Sequence, residues 1–165
     1  MSVGYNPSAW TSLFEGTVAA AASLTGLLFV AVSINLSAIL QSKVLPRRAL
    51  ETLSFLVGLV FLSVFMLVPE PSRTTLGIEL ACLGVAIGVP LLMARLRTPR
   101  DPDDPLIWTV GPAALIVGAS LPMVIAGVTL MAGGGGGLYW LLPEVLLALL
   151  GAVTNAWVLL VEIHR

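Results

Sequence analysis

The chain has 165 residues, of which 58% are apolar and 10% are charged, and its mean hydropathy is +1.02. A soluble globular domain carries about 25% charged residues, so this chain has too little charge to cover a surface that faces water. Its formal net charge of −1 gives no basis for binding nucleic acid. Composition excludes a soluble domain and predicts a protein whose main solvent is lipid.

Five apolar stretches are long enough to be transmembrane helices, which need roughly 20 apolar residues to cross a hydrocarbon core about 30 Å thick. In chain order they are Thr17–Leu40, Leu50–Val68, Thr75–Met93, Leu106–Met131 and Leu138–Val161. Strands of a membrane β-barrel would appear as alternating segments of about 10 residues, which these unbroken runs do not resemble. The sequence therefore predicts an all-α, polytopic bundle of about five helices, forming a single transmembrane domain over residues 1–165.

The basic residues predict an orientation for this bundle. Seven of the eight follow the first helix, the third helix or the fifth helix: Lys43, Arg47, Arg48, Arg95, Arg97, Arg100 and Arg165. Only Arg73 lies on the opposite side. Because basic residues accumulate in cytoplasmic segments, we expect the N-terminus outside and the C-terminus in the cytoplasm. Arginine predominates over lysine, and together with abundant Ala, Gly, Leu and Val this favours a bacterial protein of the inner membrane.

The inventory of reactive side chains argues against an enzyme. Hydrolysis within a membrane needs an activated nucleophile, a carboxylate pair or metal ligands. The chain has one histidine, His164, near its C-terminus, and no aspartate lies in any of the five stretches. No catalytic activity, metal or cofactor is expected.

Three glutamates are the strongest functional candidates. Glu15 precedes the first helix, Glu79 lies early in the third and Glu144 lies early in the fifth. The predicted orientation puts all three toward the outer side. A carboxylate within a membrane span is costly and is a functional candidate for that reason. The alternative is structural: Glu79 and Glu144 would extend to lipid headgroups or pair with Arg73.

Small and polar residues form stripes along the predicted helices. In the fifth helix, steps of four and three residues put one set on a single face: Glu144, Ala148, Gly151, Asn155, Val158 and Glu162. We expect this face to contact protein or water, not lipid. A weaker face of the first helix comprises Glu15, Ala19, Ala22, Gly26, Ser33 and Ser37. Seams suited to close helix packing occur in the third helix (Gly77, Ala81, Gly84, Gly88) and the fourth (Gly111, Ala114, Gly118, Pro122).

These patterns leave two functions open. In the first, the protein is a small transporter or channel, assembled as a homo-oligomer, whose polar side chains line a path for a cation or a proton. The candidate path residues are Glu15, Glu79, Glu144, Asn155, Ser33 and Ser37. In the second, it is a non-transporting accessory or scaffold subunit whose small-residue faces dock other membrane helices.

Overall fold

The computed structural model describes residues 6–42, 44–97 and 106–162, and the side chains within 6–42, 44–97 and 110–157. Its helices are α1 (Thr11–Ile34), α2 (Leu36–Gln41), α3 (Leu45–Leu67), α4 (Arg73–Leu96), α5 (Leu106–Ala132) and α6 (Leu141–Glu162). Short 3-10 turns precede α1 and α6, at Pro7–Trp10 and Gly137–Trp140. The described residues contain no strand, and five helices are long and apolar enough to span a membrane. The prediction of an all-helical, multi-pass membrane protein is confirmed at this level.

Two helix boundaries differ from the predicted ones for local reasons. The first predicted stretch divides into α1 and α2 at Asn35, whose φ of −106° and ψ of 18° leave the helical range. The Asn35 side-chain amide donates to the Ala31 carbonyl oxygen at 2.9 Å, and this local bond competes with the regular helix. α3 begins at Leu45 instead of Leu50 because Pro46 is accommodated in the first turn, where no backbone donor is needed.

Four helices form a ring. Neighbouring contacts connect α3 with α4, α4 with α5, α5 with α6 and α6 with α3. α1 lies outside this ring and packs mainly against α3. Its buried residues are few: Phe14, Thr17, Ala21 and Leu28. Large apolar side chains of α1, such as Leu27 and Ile34, are exposed on the isolated chain, as expected for a helix that meets lipid or another membrane helix.

The contact between α4 and α5 depends on glycine. A Cβ atom at Gly77 would lie 2.8 Å from the Gly127 carbonyl oxygen, and one at Gly84 would lie 2.9 Å from the Ser120 carbonyl oxygen. These distances leave no room for a side chain, so the backbones of the two helices approach closely. The predicted seam of the third helix is therefore a packing surface.

The predicted seam of the fourth helix is confirmed at one glycine and wrong at another. A Cβ atom at Gly118 would lie 3.0 Å from Leu147 of α6, whereas the space beside Gly111 is open. The close contact with α4 is made by Gly127, which the predicted seam omitted. Periodicity identified small residues but did not identify which neighbour each of them would meet.

The two ends of the bundle differ in chemistry. At one end, which we call the basic end, Arg47, Arg48, Arg95 and Arg97 are brought together at the termini of α3 and α4. At the other, the aromatic end, the rings of Trp10 and Tyr139 pack edge to face with centroids 5.2 Å apart. The described arginines of the basic end agree with the prediction that most basic residues lie on one side of the membrane. Lys43, Arg100, His164 and Arg165 lie outside the described residues.

Candidate functional site

Glu144 is a buried carboxyl group without a partner. It is the fourth residue of α6 and is 2% exposed. Its Oε2 atom has no hydrogen-bond partner among the described residues. Most buried side-chain polar atoms in proteins have a partner, and an isolated charge in an apolar interior is costly. Among the described side chains, Glu144 is therefore exceptional in being buried without a hydrogen-bond partner.

A small cavity surrounds this carboxyl group at the centre of the ring. Its volume is about 10 Å³, which is near the lower limit for holding one water molecule. All four ring helices line it, through Phe55, Gly58, Gly84, Ile87, Ala119, Ser120, Met123, Glu144 and Ala148. Since Gly58 and Gly84 lie midway along α3 and α4, the cavity is near the middle of these two helices, and Glu144 is directed into it. The interpretation of Glu144 as a side chain that extends to lipid headgroups is therefore wrong.

Ser120 supplies a second polar side chain to the cavity. Its hydroxyl donates to the Ile116 carbonyl oxygen at 2.7 Å, which leaves the hydroxyl oxygen able to accept a further hydrogen bond. A water molecule beside Glu144 would find one carboxyl group and one hydroxyl group within the same cavity. The carboxyl group could exchange a proton with such a water molecule.

The described part of the polar stripe of α6, from Glu144 to Asn155, faces the interior of the bundle, as predicted, and the side chains of Val158 and Glu162 lie outside the description. Ala148 and Asn155 are 2% and 3% exposed, and Gly151 is buried. A Cβ atom at Gly151 would lie 3.1 Å from Cε2 of the Phe55 ring. Phe55 also lines the Glu144 cavity, so its ring lies against both that cavity and Gly151. We call this contact between α3 and α6 the seam. Along it, the polar residues Glu144 and Asn155 are separated by the contact between Gly151 and the apolar ring of Phe55.

The seam ends in a polar network at the basic end. Arg48 Nη1 donates to Asn155 Oδ1 at 3.0 Å, and the Thr52 hydroxyl donates to the Arg48 carbonyl oxygen at 2.7 Å. Beside them, Arg95 Nη1 lies 3.4 Å from Glu51 Oε1, and Glu51 is 1% exposed. This network connects α3 with α4 and with α6.

Sequence reasoning missed Arg48, Glu51 and Arg95 as parts of a site. It placed both arginines in connecting segments and did not consider Glu51, which lay next to the predicted start of its helix. A usable signal was present: Arg48, Thr52 and Phe55 recur at steps of four and three residues, so the buried face of α3 continues past the predicted boundary.

The remaining candidate path residues are not gathered around Glu144. Glu15, Ser33 and Ser37 are exposed on α1 and α2, and Glu79 is half-buried on α4. None of them lines the Glu144 cavity. The structure brings Glu144 and Asn155 onto one buried seam and leaves the exposed face of α1 on the surface of the single chain.

The described side chains offer no evident metal centre, since no three His, Cys, Asp or Glu residues among them form a group that could hold an ion. No protein-family model, curated protein or solved structure matches the chain significantly. Its function must accordingly be argued from the geometry of the seam between α3 and α6.

Proposed function

We propose that this multi-pass membrane protein transports protons, and that Glu144 binds and releases the transported proton within the membrane. The observation that carries the proposal is the buried Oε2 atom without a partner, set in a water-sized cavity at the centre of the four-helix ring. Intramembrane carboxyl groups that face the interior of a bundle are typical of proton relays. A structural role would normally supply such a group with a donor.

A proton fits this site better than a metal cation. A hard cation such as Ca²⁺ takes about 6–8 oxygen ligands, whereas the cavity offers the Glu144 carboxyl group and the Ser120 hydroxyl as its polar side chains. Binding a proton needs only one carboxylate. The volume of about 10 Å³ also leaves no space for a hydrated metal ion.

The seam between α3 and α6 is the proposed route toward the basic end. From Glu144 it leads past the Phe55 ring, which covers Gly151, to the Arg48–Asn155 hydrogen bond. In this proposal Phe55 interrupts the route, and its displacement would let water connect the two polar regions. We assign Phe55 the role of a gate, Glu144 that of the proton-binding group and Asn155 that of a polar group at the exit.

Proteoliposomes test the proposal directly. A pH-sensitive dye inside the vesicles should report a proton flux when a membrane potential is imposed, and Glu144→Gln should reduce that flux at least tenfold because the amide keeps the shape and cannot exchange a proton. Glu15→Gln is the matched control: Glu15 is exposed, so its loss should leave the flux within twofold. Absence of flux of protons, Na⁺, K⁺ and Ca²⁺ in the wild type would end the transport proposal.

The orientation is part of the same proposal. With the basic end facing the cytoplasm of a bacterial cell, Glu144 would receive protons from the outside. Reporter fusions after Leu40, Val68, Met93, Met131 and Arg165 should alternate between inside and outside, starting and ending inside. Two successive fusions that report the same side would contradict this orientation.

One observation favours the second function, that of an accessory or scaffold subunit. The small and polar face of α1 is exposed on the single chain, and no atom lies within 4 Å of a Cβ placed at Gly26. Small residues allow close approach of another membrane helix. Light scattering corrected for detergent separates the cases: a symmetric homo-oligomer fits the transporter, and a monomer that co-purifies with another membrane protein fits the subunit.

A further inference from the structure

A groove between α1, α3 and α6 is left unfilled by the chain. Its volume is about 300 Å³, at the lower end of the range of about 300–1,000 Å³ found for ligand sites. The lining is almost wholly apolar and includes Leu28 and Ile39 on one side and Leu56, Ala152 and Trp157 on the other. It opens because α1 packs along α3 and makes little contact with α6.

The groove lies in the half of the bundle that adjoins the basic end. Thr52, its polar lining residue, donates a hydrogen bond to the Arg48 carbonyl oxygen, one turn closer to that end. The Arg48 guanidinium binds Asn155, which directly precedes Ala156 and Trp157 in the wall of the groove. A single hydrogen bond to Asn155 leaves other N–H groups of a guanidinium available, since it carries five.

The charge at this end is positive among the described side chains. Arg47 and Arg48 lie close enough to Arg95 to interact with it electrostatically, and Glu51 is the carboxylate that Arg95 contacts. The described side chains thus gather three guanidinium groups and one carboxylate at the basic end. Such a cluster attracts a phosphate group, which arginine binds well.

The lining and the charge of the groove together favour a phospholipid occupant. The walls are almost wholly apolar and suit an acyl chain, and the arginines of the basic end suit the headgroup phosphate to which that chain is attached.

We infer that this groove binds one anionic phospholipid, with an acyl chain between α1, α3 and α6 and the phosphate held by Arg48 at the basic end. Basic pockets between helices on the cytoplasmic side are suited to anionic headgroups. The bound lipid would also complete the packing between α1 and α6. This inference does not depend on proton transport.

Trp157 permits a local measurement because it lines the groove. We would use a variant in which it is the single tryptophan, with Trp10, Trp108 and Trp140 replaced by Phe, in vesicles of phosphatidylcholine and phosphatidylglycerol. At a low, equal mole fraction, brominated phosphatidylglycerol should quench Trp157 at least threefold more than brominated phosphatidylcholine does. Equal quenching by the two lipids would overturn the inference.

Three substitutions in that variant locate the lipid. Arg48→Gln should abolish the preference for phosphatidylglycerol, whereas Arg97→Gln, which removes an exposed charge at the same end, should preserve it. Ala31→Phe places a ring in the groove from α1 and should also remove the preference, without touching the Arg48–Asn155 bond. A preference that survives both Arg48→Gln and Ala31→Phe would place the lipid elsewhere, and shielding of Trp157 from both lipids would indicate a protein occupant.

Discussion

Two glutamates are buried almost equally in this bundle, yet their surroundings are opposite. Glu51, near the start of α3, is 1% exposed and lies 3.4 Å from Arg95. Glu144, near the start of α6, is 2% exposed, and its Oε2 atom has no partner among the described residues. The first side chain connects two helices, and the second faces a cavity at their centre.

The comparison teaches that carboxyl groups of equal burial can differ in whether a cation lies beside them. Glu51 has a cationic partner, Arg95, and the pair joins α3 to α4. Glu144 has no such partner among the described residues. In the proposed transport cycle Glu144 gains and loses a proton, and a position without a fixed counter-charge suits that role.

The largest expected effect comes from separating the structural pair. Arg95→Leu leaves Glu51 buried without its cation, and we expect the free energy of unfolding to fall by about 3 kcal/mol, because removing one partner strands the other charge. Titration with a denaturing detergent, followed by circular dichroism, measures the change. Arg97→Leu is the control: Arg97 is exposed, so its loss should have little effect.

A double substitution checks the cause. Glu51→Leu combined with Arg95→Leu should recover most of the lost stability, since an apolar pair of similar volume often replaces a buried ion pair without loss. If the double variant is less stable than Arg95→Leu alone, the two side chains are not coupled in the way that their geometry indicates.

A smaller loss of stability is expected at Gly151, where α6 packs against the Phe55 ring of α3. Gly151→Leu would force its side chain against the Phe55 ring, which a Cβ atom already approaches to 3.1 Å. Overpacking of this kind lowers stability by about 2 kcal/mol, and we expect weaker assembly and a lower Tm in detergent. Gly111→Leu is matched to it, because nothing lies within 4 Å of a Cβ there. Equal Tm values for the two variants would contradict the packing of α6 on α3.

The smallest effect, and one of opposite sign, is expected at Glu144. Glu144→Leu replaces an unpartnered carboxyl group with an apolar side chain of similar size, so the free energy of unfolding should rise by about 1 kcal/mol while proton flux is lost. The same detergent titration measures this gain. A loss of stability would show that the carboxyl group has a stabilising partner, such as an ordered water molecule in the cavity.

The sequence was sufficient to predict the number of long apolar helices and the buried face of α6. Helix number follows from the length of the apolar runs, and the spacing of Glu144, Ala148, Gly151 and Asn155 is a local property of one helix. How deeply the Glu144 side chain is buried in the bundle could not be predicted in this way. Its distance from the membrane surface depends on how far α6 is inserted relative to α3 and α4.

Partners across the bundle could not be predicted for the same reason. A small residue can face a helix, a cavity or the outside of the chain, as Gly127, Gly58 and Gly26 respectively do. The Glu51–Arg95 pair joins residues 44 positions apart, and periodicity within one helix carries no information about such a contact. The periodicity of a sequence therefore predicts which residues share a helix face, but it does not predict which helix packs against that face.

The glycine contact between α4 and α5 has a consequence for motion. At Gly88 and at Gly127 the facing atoms, Ser120 Oγ and the Gly77 carbonyl oxygen, leave no space for a Cβ, so the two helices are in close contact along most of their length. Packed interfaces of this kind shift between discrete arrangements instead of deforming gradually. We therefore expect α4 and α5 to move as a single rigid body, and in the proposed transport cycle access to Glu144 would change by displacement of α3 and α6 against that body.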